Sequence, residues 1–217
     1  TSVGNYALFG GGYTRSMYTN TVDAYDTSLT RTTPSSLSRA CSNLAATSVG
    51  NYALFCGGYE TGTFYEKANA YDTSLTRTSP TDLLDARMDL AATSVGNYAL
   101  FGGGYTGSNS SRVDAYSTSL IRIAPLYSLS ESRRYLAATS VGNYALFGGG
   151  GVSGTPTSTV DAYDTSLTKT SPTALSVARM QLAATSVGNY ALFGGGMGGG
   201  NYYDKVNAYD TSLTRTT

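Results

Sequence analysis

The chain reads as an all-β protein: a five-bladed β-propeller of four-stranded antiparallel blades, built on a 46-residue repeat that fills residues 1–217 as one domain. Three observations predict it. The string TSVGNYALF starts at Thr1, Thr47, Thr93, Thr139 and Thr185, always 46 residues apart. A second block, AYDTSLTRT or a close variant, follows from Ala24, Ala70, Ala115, Ala162 and Ala208. Each copy also holds short apolar runs broken by glycine, proline and turn residues, at the length of a propeller blade.

Each element follows from local chemistry, taken here in the second repeat. The first strand is LAATSV at 44–49, and Gly50-Asn51 turns it, with glycine leading as a type II′ hairpin prefers. The second strand, YALF at 52–55, alternates Tyr52 and Leu54 with Ala53 and Phe55, so both its faces are apolar and both need cover. The glycine cluster that follows fits close backbone packing at a strand end. The third strand covers roughly 68–71, and Asp72-Thr73-Ser74 makes a turn capped by the aspartate. The fourth covers 75–78, ended by Ser79-Pro80. Such a unit becomes stable by stacking between copies of itself, and the small residues of the first strand suit the crowded centre of a ring. Five full periods would run 13 residues longer than the chain. The shortfall is expected where the two ends of a closed ring meet, with the first strand of the first blade cut to about 1–3.

The fourth strand is the expected outer edge. Arg31, Arg77, Arg122, Lys169 and Arg215 place a cation in every copy, and Pro34, Pro80, Pro125 and Pro172 follow four of them. Charge and proline there read as protection against pairing with another sheet.

The order Arg87, LAATSVGNYALFGGG, VDAYD, LTRTSP resembles the kelch motif over essentially the whole chain. The glycine pair fits, as do Tyr25, Tyr71, Tyr116, Tyr163 and Tyr209. The usual Trp is missing, and Leu29, Leu75, Leu120, Leu167 and Leu213 lie near where it would fall. The resemblance implies a β-propeller whose commonest role is non-catalytic binding, usually with six or seven blades. It also implies that Arg87, Arg133 and Arg179 bond to backbone carbonyls or to an adjacent blade. Asp23, Asp114 and Asp161, with Asn69 and Asn207 in the same register, read as structural.

Loops of an up-and-down blade alternate between the two ends of the disk. The turns VGNY and DTSL (STSL at Ser117) are nearly invariant and share one end. The segments at the other end, between second and third strands and between blades, share almost nothing. Nine of the nineteen tyrosines lie in them: Tyr13, Tyr18, Tyr59, Tyr65, Tyr105, Tyr127, Tyr135, Tyr202 and Tyr203. Tyrosine mixed with Ser, Gly and Asn offers large contact area at small entropic cost, as in a paratope, and suits stacking on sugars. The expected anchors are Tyr18, Tyr59, Tyr65, Tyr105, Tyr202 and Tyr203, with Arg15, Asn109 and Arg112 as polar partners. The expected function is a non-catalytic scaffold that binds a glycan or a protein. Near-identical copies favour the alternative, a structural or engineered repeat protein without a ligand. A glycan-processing enzyme would need a convergent carboxylate pair. Only Glu60, Glu66, Glu131, Asp82, Asp85, Asp89 and Asp204 lie in variable segments.

Composition narrows the classes further. Fourteen basic and fourteen acidic residues cancel, so no net field draws the chain to nucleic acid. No apolar run approaches the length of a membrane span. Histidine is absent, which removes His-based triads, His-ligated metals and the copper site of kelch-type oxidases. The glycine clusters lack the GK[ST] lysine of a phosphate loop. No cofactor, metal or catalytic residue is expected. The chain is expected to be a monomer, at an extracellular, virion or cell surface rather than in the cytoplasm. The predicted hairpin sets Cys56 beside Ala45, four residues from Cys41, so both cysteines are expected as free thiols. Asn109-Ser110-Ser111 is a formal glycosylation sequon.

Overall fold

The computed structural model describes residues 1–124 and 127–217, and its regular elements are all β-strands. Pro125 lies outside the described residues. No helix there is long and apolar enough to cross a membrane. Five four-stranded antiparallel sheets follow one another along the chain. The first comprises Ser2–Val3, Tyr6–Tyr13, Tyr18–Tyr25 and Arg31–Thr32. The second comprises Ala45–Val49, Tyr52–Cys56, Ala68–Asp72 and Arg77–Thr78, and the third Ala91–Val95, Tyr98–Gly102, Val113–Ser117 and Arg122–Ile123. Ala137–Val141, Tyr144–Gly148, Val160–Asp164 and Lys169–Thr170 form the fourth; Ala183–Val187, Tyr190–Gly194, Val206–Asp210 and Arg215–Thr216 form the fifth.

The inner hairpin pairs Val49 with Tyr52 and Ala45 with Cys56, around Gly50 at a φ of 53°. The third strand then pairs from Tyr52↔Asp72 to Cys56↔Ala68. The fourth strand is shorter than its sequence suggests. Leu75 takes a φ of 62° and its N–H donates to the Asp72 carbonyl at 2.9 Å, while Asp72 Oδ1 accepts from Ser74 and Thr76, each at 2.9 Å. The aspartate cap thus holds the chain in a turn until Arg77.

The first strands are neighbours from sheet to sheet and form the innermost layer. The two faces of each sheet pack in opposite directions. Ala53 and Phe55 face back and join Val3, Leu8, Val22 and Ala24 of the first sheet. Leu54 and Ala70 face forward and meet Ala99, Phe101 and Tyr116 of the third. The segment between these sheets adds Leu83 and Leu90 to the same core. It also buries Arg87, whose Nη2 lies 2.8 Å from Asp114 and donates to the Phe101 carbonyl at 3.1 Å. Arg133 repeats this with Asp161 and Phe147. The strand-four cations are more than edge protection: Arg122 lies 3.1 Å and Lys169 3.5 Å from these same buried aspartates, and Arg77 donates to Asn69 at 3.0 Å. They supply a second positive charge, or a donor, to a register that burial makes costly.

The expected closed ring of five is not formed. Added Cβ atoms at Gly4, Gly50, Gly96 and Gly142 would each meet a threonine of the following sheet, Thr73, Thr118, Thr165 and Thr211, whereas Gly188 has nothing within 4 Å. Phe9 is 64% exposed and Val187 61%, while their counterparts in the second to fourth sheets are buried. A sheet's phenylalanine packs on the glycine of the preceding sheet at three of the four interfaces, Gly10–Phe55, Gly102–Phe147 and Gly148–Phe193. The four steps between five sheets leave the outer faces of the first and fifth sheets apart.

Candidate functional site

The variable segments do converge on one end of the stack. Each inter-sheet segment bridges to the loop after the next second strand: Ser42↔Tyr59, Met88↔Tyr105, Arg134↔Gly151 and Met180↔Met197. Three of these loops are small hairpins of their own, pairing Tyr59–Glu60 with Thr63–Phe64, Gly151–Val152 with Thr155–Pro156, and Met197–Gly198 with Asn201–Tyr202. In the first sheet the long strands simply continue, to Tyr13↔Tyr18.

Cross-strand pairing in these hairpins builds a continuous run of rings over three sheets. Tyr13 and Tyr18 have centroids 4.8 Å apart, Tyr18 and Tyr59 6.0 Å, Tyr59 and Phe64 5.8 Å, and Phe64 and Tyr105 5.7 Å. The Arg134 guanidinium closes the run, 4.4 Å from the Tyr105 centroid and 4.8 Å from that of Tyr135. Such spacing is that of tilted and edge-to-face aromatic pairs, with cation–π contact at the end. Apart from the exposed Tyr13, the rings are half-buried, braced by neighbours yet open to solvent.

Beside the run, Asn43, Asp89, Tyr135 and Gln181 stand at equivalent positions ahead of successive first strands, with φ between 55° and 57°. Backbone bonds link them in series: Asp89 N–H to Asn43 O at 3.0 Å, Tyr135 to Asp89 at 3.2 Å, and Gln181 to Tyr135 at 2.9 Å. Asp89 Oδ1 accepts from Asn43 Nδ2 at 2.7 Å, while Oδ2 is buried and unpartnered among the described residues. Burial, then the nearby Asp89 charge, raises the Tyr135 hydroxyl above its ordinary value. A polar cleft at the third sheet's loop is lined by Asp85, Thr106, Ser108, Asn109, Arg112 and Ser132 among others.

Of the expected anchors, Tyr18, Tyr59 and Tyr105 belong to the run of rings. Tyr65 does not; its hydroxyl donates to Glu60 at 2.7 Å and its ring packs on the core between the first two sheets. Tyr202 is 86% exposed and Tyr203 donates weakly to the Gly198 carbonyl at 3.4 Å, both in the fifth sheet's loop and apart from the other rings. Of the expected polar partners, Asn109 and Arg112 line the polar cleft rather than the run of rings, and Arg15 lies in the first sheet's loop. Asn109 donates to the Gly151 carbonyl at 3.0 Å, Arg112 is paired with Asp85, and Arg15 sits in the tight loop whose carbonyl takes the Tyr13 hydroxyl. Phe64 and Arg134 lie outside the repeated strings, so the repeat pattern does not single them out. The pair Thr61-Gly62 between Tyr59 and Phe64, both residues at positive φ, is the turn signal that would have set the two rings side by side. Both cysteines are free and buried, and burial, with Glu60 behind it, pushes the Cys41 thiol up to about 11.

No protein-family model matches this chain, and no curated protein matches it. The solved structure of YjhT does. The whole of this chain superposes on 81% of that one, with a TM-score of 0.77 at 13% sequence identity. At that identity the likeness establishes the fold, a propeller-like stack of four-stranded sheets, and carries no ligand with it.

Proposed function

We propose that this chain is a non-catalytic recognition module, five blades of a kelch-type propeller that hold an extended glycan along the variable loop face. The observation that carries the reading is the run Tyr13, Tyr18, Tyr59, Phe64, Tyr105 ending at Arg134. Consecutive half-exposed rings offer apolar faces to the C–H faces of sugar rings. Arg134 and the polar cleft of the third sheet's loop supply donors and acceptors for hydroxyls. The kelch reading draws support from the buried arginine register and from Gly57 and Gly58 at positive φ after the second strand. A protein ligand is the second reading, favoured by the paratope-like composition of the loops.

Glycan-array binding followed by calorimetry tests this. A bound oligosaccharide should lose at least tenfold in affinity with Tyr59→Ala or Phe64→Ala, which is about 1.4 kcal/mol, and be indifferent to Tyr202→Ala. Equal losses at Tyr202 and Tyr59, or binding that survives the double variant Tyr59→Ala/Phe64→Ala, would move the site off the run.

A further inference from the structure

The geometry points to a docking site formed by the two terminal faces together, shaped for one more blade of this same repeat with its two flanking segments. The interior interfaces specify what such a site takes. A Cβ added at Gly10, Gly102 or Gly148 would lie 3.0, 2.7 or 2.7 Å from Phe55, Phe147 or Phe193, so each phenylalanine sits on the glycine of the preceding sheet. Phe9 has no such glycine beneath it, and Gly194 has only Val206 of its own sheet near it. The two halves of a repeated interface are thus presented separately.

Three further features identify the occupant. Asp114 and Asp161 each hold a buried arginine at 2.8 Å, and Asn207 accepts from Arg179 at 2.9 Å. In the same register Asp23 has only Arg31, at 3.7 Å. The hydroxyls of Tyr71, Tyr116, Tyr163 and Tyr209 donate to carbonyls of the preceding inter-sheet segment, at Ser35, Thr81, Tyr127 and Thr173. Tyr25 stands in their place on the open face beside Phe9. Backbone pairing of the first strand ends where Thr1 and Leu8 exchange bonds at 2.8 and 3.1 Å, leaving Phe9 and Gly10 without the partners that Ala46 and Ala45 give Phe55 and Cys56. The site therefore asks for a glycine, an arginine, a backbone carbonyl and two residues of strand, in the order the repeat supplies them. Addition of a strand to an open edge is an established mode of binding. Size agrees, since the part of YjhT left uncovered is about one 46-residue repeat long. Head-to-tail stacking of whole copies would leave one face of every array bare.

The full 217-residue chain mixed with a peptide of residues 80–138, which carries one blade and both flanking segments, tests the inference by light scattering after gel filtration. A one-to-one complex is expected. Phe9→Ser, Asp23→Ala and Val187→Glu lie on surfaces already open to solvent, so the chain should melt unchanged while peptide affinity falls at least tenfold. Appending the same segment covalently should raise the melting temperature and lower binding of a hydrophobic dye, and Phe9→Ser should reverse both. No complex together with no gain on fusion would overturn the proposal. So would self-association of the chain that the three variants abolish, which would assign the faces to a second copy.

Discussion

A guanidinium buried away from water is tolerable only where its charge is met. Arg133 meets Asp161 at 2.8 Å and the Phe147 carbonyl at 3.1 Å, with both charged side chains wholly out of solvent. Replacing Arg133 with Ala removes the nearest cation from the buried aspartate, leaving Lys169 at 3.5 Å and the Ser130 N–H and hydroxyl as its partners. The expected loss is about 3–5 kcal/mol, read from urea denaturation. Asp161→Asn should cost much less, because asparagine already fills this register at Asn207, where its Oδ1 accepts from Arg179 at 2.9 Å. Equal costs for the two variants would mean that the pair stabilises through packing rather than charge. This register was legible in the sequence because it recurs in three copies. Phe64 was not, because it occurs once and its place depends on a hairpin that only its own loop can make.

Each turn before the fourth strand forces a leucine into left-handed backbone, and the five copies differ in what they receive in return. Leu167 has a φ of 61° and is 9% exposed within a core cluster; Leu29 has a φ of 60° and is 80% exposed. Left-handed geometry costs a residue with a Cβ about 1–2 kcal/mol. Leu29→Gly should therefore raise stability by about 1 kcal/mol, while Leu167→Gly, giving up about 2 kcal/mol of apolar burial, should lower it. Thermal melts of the two single variants check the sign. The aspartate-capped turn follows from the sequence, whereas the strand after it begins at Arg77 rather than Leu75. A leucine among Thr, Ser and Arg scores as strand, and its backbone is set by the Asp72-type cap behind it rather than by its own preference.

At the scale of the molecule, the repeat predicts what touches what but not how many steps complete a turn. The recurring internal contacts were readable from the recurring strings. The angle between sheets is set by packing in three dimensions, which no periodicity reports. An open array should be unevenly protected. The inner strand Ala183–Val187 lacks the cover that Ala91–Val95 and Ala137–Val141 receive from the next sheet. Hydrogen exchange followed on peptides bearing the distinguishing residues Met88-Asp89, Arg134-Tyr135 and Met180-Gln181 should show the last exchanging fastest. Equal protection would indicate that the fifth sheet is covered in solution.

The two-residue turn at Gly50-Asn51, repeated in every sheet, also answers a question of addressing. Five copies of one string mean that any inner strand carries the right side chains for any of five partners. Sequence complementarity alone cannot tell them apart. Chain entropy can. Reaching the corresponding strand of the next copy closes a loop longer by 46 residues, which costs about 3 kcal/mol more than closing the local hairpin. The correct partner is thus chosen by distance along the chain, before any blade exists to be recognised. The third strand, reached across the variable loops, gets a weaker version of the same instruction. Lengthening VGNY should therefore scramble partners among copies long before it weakens any finished sheet.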